Sequence, residues 1–298
     1  MDVTLRSFVR AAIRCLVLVA LLHGRVHASG HGPVFGAATP TLGKGGWQFD
    51  QAWMGQAVKS PEKGGQILRS MIGFGITEKL QLSMSLPVPL VRSQMLPAGR
   101  MMSMMSYNRD IEMLAGWRFQ TRPVGQGARL ESTVYVGGTV PLTSDTAGIR
   151  TAPAGSIAVT GGYASRSHYF WAGASYQHTV PRAAAQLGAV KSWSLVYGYR
   201  PRVWRLDYPK PDLRLFVEAV GDSTARTRHG DGPMMNTGGR VMLVGPTALL
   251  LYKAYGLSGG ILFPFHQRLH GTQARERFRF GVNATYFFWP GTSKGSGS

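Results

Sequence analysis

The sequence predicts an all-β fold, a single antiparallel transmembrane β-barrel of about twelve strands. Three observations predict it. Segments of roughly ten residues, alternating apolar and polar positions, recur along the chain and are closed by Gly, Pro, Asn, Asp or Ser. Long and short connections take turns between these segments, the asymmetry of a barrel with short turns at one end and loops at the other. Charged residues stand mid-segment on the polar parity, where a dry sandwich core would leave them without partners and a wet lumen would not.

The chain opens with "MDVTLRSFVRAAIR", which carries Arg6, Arg10 and Arg14, followed by the apolar "CLVLVALL" and by "VHA" before Ser29. Residues 1–28 therefore read as a secretory signal peptide, because the apolar run is too short to cross a bilayer and His23 and Arg25 follow it at once. Cys15 is the one cysteine and lies within that stretch. The remainder has no thiol for a disulfide, a zinc-thiolate site or a nucleophile. Residues 29–44 are expected as a periplasmic N-terminal segment, 45–289 as the barrel, and 290–298 as a Gly/Ser-rich tail. Residues 1–28 hold four arginines and one aspartate, so without them the formal charge of +19 falls to about +16. Such a basic exported chain suits anionic neighbours, with lipopolysaccharide phosphates favoured over nucleic acid.

After the signal no stretch offers 18 consecutive apolar residues, so strands must do the spanning. The first strand is expected at 45–58. In the second, 66–76, Leu68, Ile72 and Phe74 share a parity and Arg69 takes the other. The third, 80–91, alternates without a fault: Leu80, Leu82, Met84, Leu86, Val88 and Leu90 against Gln81, Ser83, Ser85, Pro87 and Pro89. The two prolines remove N–H donors toward one neighbour, which places them near a rim where pairing fades. In 110–121, Ile111, Met113, Ala115, Trp117 and Phe119 oppose Glu112 and Arg118; in 128–141 the polar parity holds Arg129 and Glu131. Segments 156–164 and 169–179 follow. The second of these fits either Phe170, Ala172, Ala174 and Tyr176 outward or Tyr169 and Trp171 outward. Segment 191–200 shows Trp193, Leu195, Tyr197 and Tyr199 on one face, 213–223 carries Arg214 and Glu218 on the polar parity, and 239–252 carries Arg240. Segments 257–267 and 278–288 complete the set, the last with Phe278, Phe280, Val282, Ala284, Tyr286 and Phe288 facing lipid and Arg279 facing the lumen. About 270 residues over twelve strands gives roughly 22 per strand and connection, close to a spanning strand plus a loop.

"GFGITEKLQLSMSLPVP" resembles the strand, tight G-[IVL]-T-[DE]-x-L turn and strand of Gram-negative outer-membrane barrels of the transporter type, including the family named for the MetA pathway of phenol degradation. "HGPVFGAATPTLGKGGWQFD" and "VNATYFFW" are similar to such barrels as well. The resemblance implies an outer-membrane transporter and, through the family name, uptake of aromatic compounds. Barrels of this kind end on an aromatic residue, whereas here "WPGTSKGSGS" follows Phe288.

The lumen residues define the functional expectation. Arg118, Arg129, Arg200, Arg214, Arg240 and Arg279 outnumber Glu131 and Glu218 on the polar parity, so a basic lumen would favour anions through its field. Arg118 is expected opposite Glu131, and Arg200 opposite Arg214. The expected function is thus a channel or passive transporter for small anionic or aromatic solutes, with outer-membrane lipid and lipopolysaccharide as partners, no nucleic acid and no cofactor. A closed barrel stapled by Arg–Glu pairs is the structural alternative. A second alternative comes from Met101, Met102, Met104 and Met105 in one loop, since thioethers are soft ligands suited to Cu(I) or Ag(I); the competing role is a flexible apolar gap-filler. There is no G-x-S-x-G or H-E-x-x-H motif, and "GAATPTLGKGG" lacks P-loop spacing, so no enzyme is expected.

Overall fold

A computed structural model describes residues 32–59, 64–91, 110–141, 152–181, 185–205, 210–230 and 232–290. Period-two alternation becomes twelve strands: β1 (Trp47–Val58), β2 (Gln66–Gly75), β3 (Leu80–Val91), β4 (Asp110–Gly125), β5 (Ala128–Pro141), β6 (Ala154–Ala164), β7 (His168–Thr179), β8 (Val190–Tyr199), β9 (Asp212–Thr224), β10 (Gly239–Tyr252), β11 (Tyr255–Leu269) and β12 (Glu276–Phe288). Each pairs antiparallel with its sequence neighbours, and β1 closes on β12 with Trp47 opposite Phe288 and Ala57 opposite Phe278. Closure leaves no unpaired edge, which is what allows strands to sit in an environment without water. The short turns 76–79, 126–127, 165–167 and 253–254 lie at one end with the longer 200–211, where a 3₁₀ turn covers Arg202–Trp204. Two of the long connections at the other end contribute Ala185–Gln186, Arg228–His229 and Gly232–Pro233, which pair as a small separate sheet.

The alternation sorts cleanly into faces. Leu82, Met113 and Val282 are 47%, 49% and 46% exposed on the outside, while their neighbours Ser83, Glu112 and Gly281 are buried within. Aromatic rings group toward the strand ends nearest the short turns: Trp47 against Phe74 and Phe288, Tyr255 against Tyr286, and His168 against Tyr197 and Tyr199. β7 takes the first of its two registers, with Phe170 and Tyr176 outward and Tyr169 and Trp171 buried inside. The ladder between β3 and β4 stops at Ser85 opposite Glu112, just before Pro87 and Pro89, as missing N–H donors require.

Two placements differ from the sequence reading. Arg240 faces outward, exposed at the loop end of β10, and not into the lumen. β10 is apolar on both parities, and the inward one is fixed by Leu243, fully buried beside Phe35, Met54 and Leu262, and by Leu249 beside Phe216. Arg240 therefore takes the outer parity, opposite Ser223 and Arg268. The segment expected outside the barrel is the second difference: its described part, residues 32–44, runs through the barrel interior. Val34, Phe35, Ala37, Thr39, Thr41 and Leu42 are all buried there.

Candidate functional site

The site is the barrel interior and the strap, residues 32–46, that threads it before β1 begins. Gly, Ala, Thr and Pro dominate "GPVFGAATPT", and small side chains let the chain pass close to the wall. At Gly36 an added Cβ would come 2.4 Å from the Val196 side chain, and at Gly75 it would come 2.0 Å from the Gly43 carbonyl. Val34 and Phe35 pack on Ala52, Met54, Ile67, Val220, Leu243 and Leu262; Ala38 packs on the Trp171, Val196 and Phe216 cluster; Leu42 meets Phe287 near the short-turn mouth.

A segment that bends at 34–36 and belongs to no sheet still has to satisfy its backbone groups inside a barrel. Glu218, fully buried on β9, does most of this. Its Oε1 accepts the Val34 N–H at 2.7 Å, and its Oε2 accepts the N–H groups of Phe35 at 2.8 Å and Gly36 at 2.6 Å; Thr247 also donates its hydroxyl to Oε1. Ser194 Oγ accepts the Ala37 N–H, the Thr133 and Tyr135 hydroxyls donate to the carbonyls of Thr39 and Ala38, and Gln81 Oε1 accepts the Leu42 N–H. Glu131 is the second anchor: Oε2 accepts the Thr39 hydroxyl at 3.1 Å, while Oε1 lies 3.2 Å from Arg118 Nη1 and 3.0 Å from Arg129 Nε. Arg118 does not lie directly opposite Glu131, because the β4–β5 register shifts between Trp117 and Gln120; the long side chain reaches it instead.

The other predicted arginines are paired too. Arg200 and Arg214 both hold Asp212, the second at 3.1 Å, so the expected facing pair of cations is bridged by a carboxylate between them. Arg214 also lies over the Tyr169 ring, 5.3 Å from its centre. Arg279 binds Glu276 through Nε at 2.7 Å and Asp222 through Nη1 at 3.4 Å, and Ser192 donates to Asp222 at 2.7 Å. Arg69 is electrostatically coupled to Asp50 and Glu112. The carboxylates Asp50, Asp212, Asp222 and Glu276 were missed as lumen residues; the signal for Asp212 was its spacing of two from Arg214, which puts both on one face of a strand. Among the residues predicted for the lumen, Arg118, Arg129, Glu131, Arg200, Arg214, Glu218 and Arg279 thus face the interior or its mouth and Arg240 does not.

Beside the strap a cavity of about 200 Å³ remains, bordered by Asp50, Arg69, Glu112, Gln81, Ser156 and Asn283 among others. The buried Oγ of Ser156 and Oδ1 of Asn283 accept no hydrogen bond from the described residues. Met101, Met102, Met104 and Met105 lie outside the described residues. Met235, in the connection between β9 and β10, is 65% exposed, and its sulfur accepts from Arg226 Nη1 at 3.9 Å. Among the described residues no group of three or more His, Cys, Asp or Glu is placed to hold a metal ion.

No family model matches the chain, and no curated protein matches it. Among solved structures it is similar to a NanC porin, at 8% identity and a TM-score of 0.48, over 80% of this chain and 98% of that one. It is also similar to a loop-deletion mutant of OmpT, an outer-membrane protein of Vibrio cholerae, at 10% identity and a TM-score of 0.36, over 82% of this chain and all of the other.

Proposed function

We propose that the chain is a channel or passive transporter for small polar solutes in a bacterial outer membrane, with its bore narrowed by its own N-terminal strap. The closed barrel with an apolar exterior supports the membrane location: Leu, Val, Met and aromatic side chains cover the middle of the outside, and the buried charged groups turn inward. The observation that carries the solute reading is the cavity of about 200 Å³ left beside the strap, of mixed lining with Asp50, Arg69, Gln81, Glu112 and Asn283 on its polar side, and smaller than the roughly 300–1,000 Å³ of pockets for drug-sized ligands. The pairing of Arg118, Arg129, Arg200, Arg214 and Arg279 with carboxylates supports selection by size and hydrogen bonding over selection for negative charge. Uptake of aromatic compounds, implied by the family resemblance, has no comparable support in the lumen.

Planar-bilayer conductance tests this reading. The wild-type chain is expected to give small, infrequent openings, and a variant lacking residues 32–41 larger ones with weak preference between anions and cations. If neither conducts, the second reading holds, a closed structural barrel; the dense packing of Phe35 and Trp171 around the strap favours it.

A further inference from the structure

The outer wall of β8–β11 carries a row of cations at one height. Lys191 on β8 lies opposite Ser223 on β9, Ser223 opposite Arg240 on β10, and Arg240 opposite Arg268 on β11. All three basic residues are exposed, and no carboxylate among the described residues forms an ion pair with any of them. Like charges directly opposite each other on adjacent strands destabilise the pair. Arg240 and Arg268 stand one strand apart, and Lys191 stands two strands beyond Arg240, about 10 Å away at the usual strand spacing.

One outward row nearer the barrel middle come Trp193, Gly221, Met242 and His266; one further come Leu195, Ala219, Val244 and Phe263, a wholly apolar row. The change from apolar to cationic happens within two rows, at the long-loop end. A surface built this way suits a ligand with phosphate above and hydrocarbon below.

We propose that this face seats an acyl-chain-bearing phosphoglycolipid of the outer leaflet, with its phosphates on Lys191, Arg240 and Arg268 and its chains along Trp193, Leu195, Val244 and Phe263. The Ser223 hydroxyl sits between the cations as a further donor to phosphate oxygen. Arginine and lysine supply the charge-assisted hydrogen bonds that phosphate accepts. The inference rests on the membrane-spanning reading proposed above, and it extends that reading by fixing which end of the barrel meets the phosphorylated leaflet.

The test is titration of the full chain, in phosphatidylcholine nanodiscs, with diphosphorylated lipid A and with its dephosphorylated form, read by native mass spectrometry. The wild type is expected to retain the phosphorylated lipid more tightly, and Lys191→Ala, Arg240→Ala and Arg268→Ala to weaken retention by about fivefold per cation removed. The dephosphorylated lipid is expected to bind all variants alike. Equal retention of the two lipids by the wild type, or unchanged retention in the triple variant, would overturn the proposal. So would displacement of the lipid by millimolar inorganic phosphate, since that would mark a free-phosphate site without chain seating. Insertion into the nanodiscs is scored separately: a wild type that inserts but does not discriminate sinks the lipid site alone, whereas one that fails to insert sinks the membrane reading with it.

Discussion

Phe35 and Glu218 lie 183 positions apart in the chain, yet the backbone N–H of the first donates to the carboxylate of the second at 2.8 Å in the middle of the barrel. With the neighbouring bonds from Val34 and Gly36, this one side chain satisfies three consecutive backbone donors of the strap. Both carboxylate oxygens are needed, one for Val34 and Thr247 and the other for Phe35 and Gly36.

Glu218→Gln is therefore expected to be costly despite its shape. The amide –NH₂ would replace one acceptor and face donors, which at about 1–3 kcal/mol per unsatisfied group predicts a stability loss of roughly 2–4 kcal/mol. Denaturant unfolding in detergent checks the loss, and single-channel recording checks the accompanying rise in open probability. A Gln variant as stable and as closed as the wild type would mean that the strap is held by its apolar contacts alone.

Gly36→Val separates the strap from the wall. The new side chain would begin 2.4 Å from Val196, inside a packed cluster, whereas the twelve-strand ladder contains no part of residue 36. The barrel is expected to stay folded, and residues 32–46 to become accessible to protease from the short-turn side.

The two kinds of arginine should respond differently to truncation. Arg279 is 5% exposed and clamped between Glu276 and Asp222, so Arg279→Ala leaves two buried carboxylates without their cation and is expected to cost about 3–5 kcal/mol. Arg240, exposed on the outer rim, is expected to change stability in detergent by no more than about 0.5 kcal/mol. Urea midpoints of the two variants decide whether the inward and outward assignments are right.

Most of the fold was legible because a barrel strand with unlike faces must alternate: Leu80 to Leu90 shows its outward apolar face without reference to anything else. Where alternation fails, so does the reading. β10 has Leu249, Leu250 and Leu251 in succession, and its parity is set by the inward packing of Leu243 and Leu249, long-range contacts that no local pattern records. Arg240 was misplaced for that reason. The strap was missed because "HGPVFGAATPT" has no period; a hint is Glu218, an inward carboxylate with no arginine paired to it among the described residues, whose partners turn out to be backbone N–H groups and the Thr247 hydroxyl. The arginines of the lumen were readable one by one, but their sum was not, since the charge of an interior depends on which aspartates face the same way. Asp222 gains Arg279 only when β12, three strands along the wall from β9, turns its arginine inward, and Asp212 gains Arg200 from the end of β8 beside its own-strand partner Arg214.

The claim on which everything else depends is that hydrocarbon touches the face bearing Leu82 and Val282, while Gln81 and Asn283 look inward. The one native cysteine is Cys15, within the expected signal, so single cysteines can be introduced at Leu82, Val282, Gln81 and Asn283 and labelled with a fluorophore. In vesicles of brominated lipid, fluorescence is expected to be strongly quenched at Leu82→Cys and Val282→Cys and little affected at Gln81→Cys and Asn283→Cys. Quenching of the second pair and not the first, or of neither, would contradict a membrane-spanning barrel.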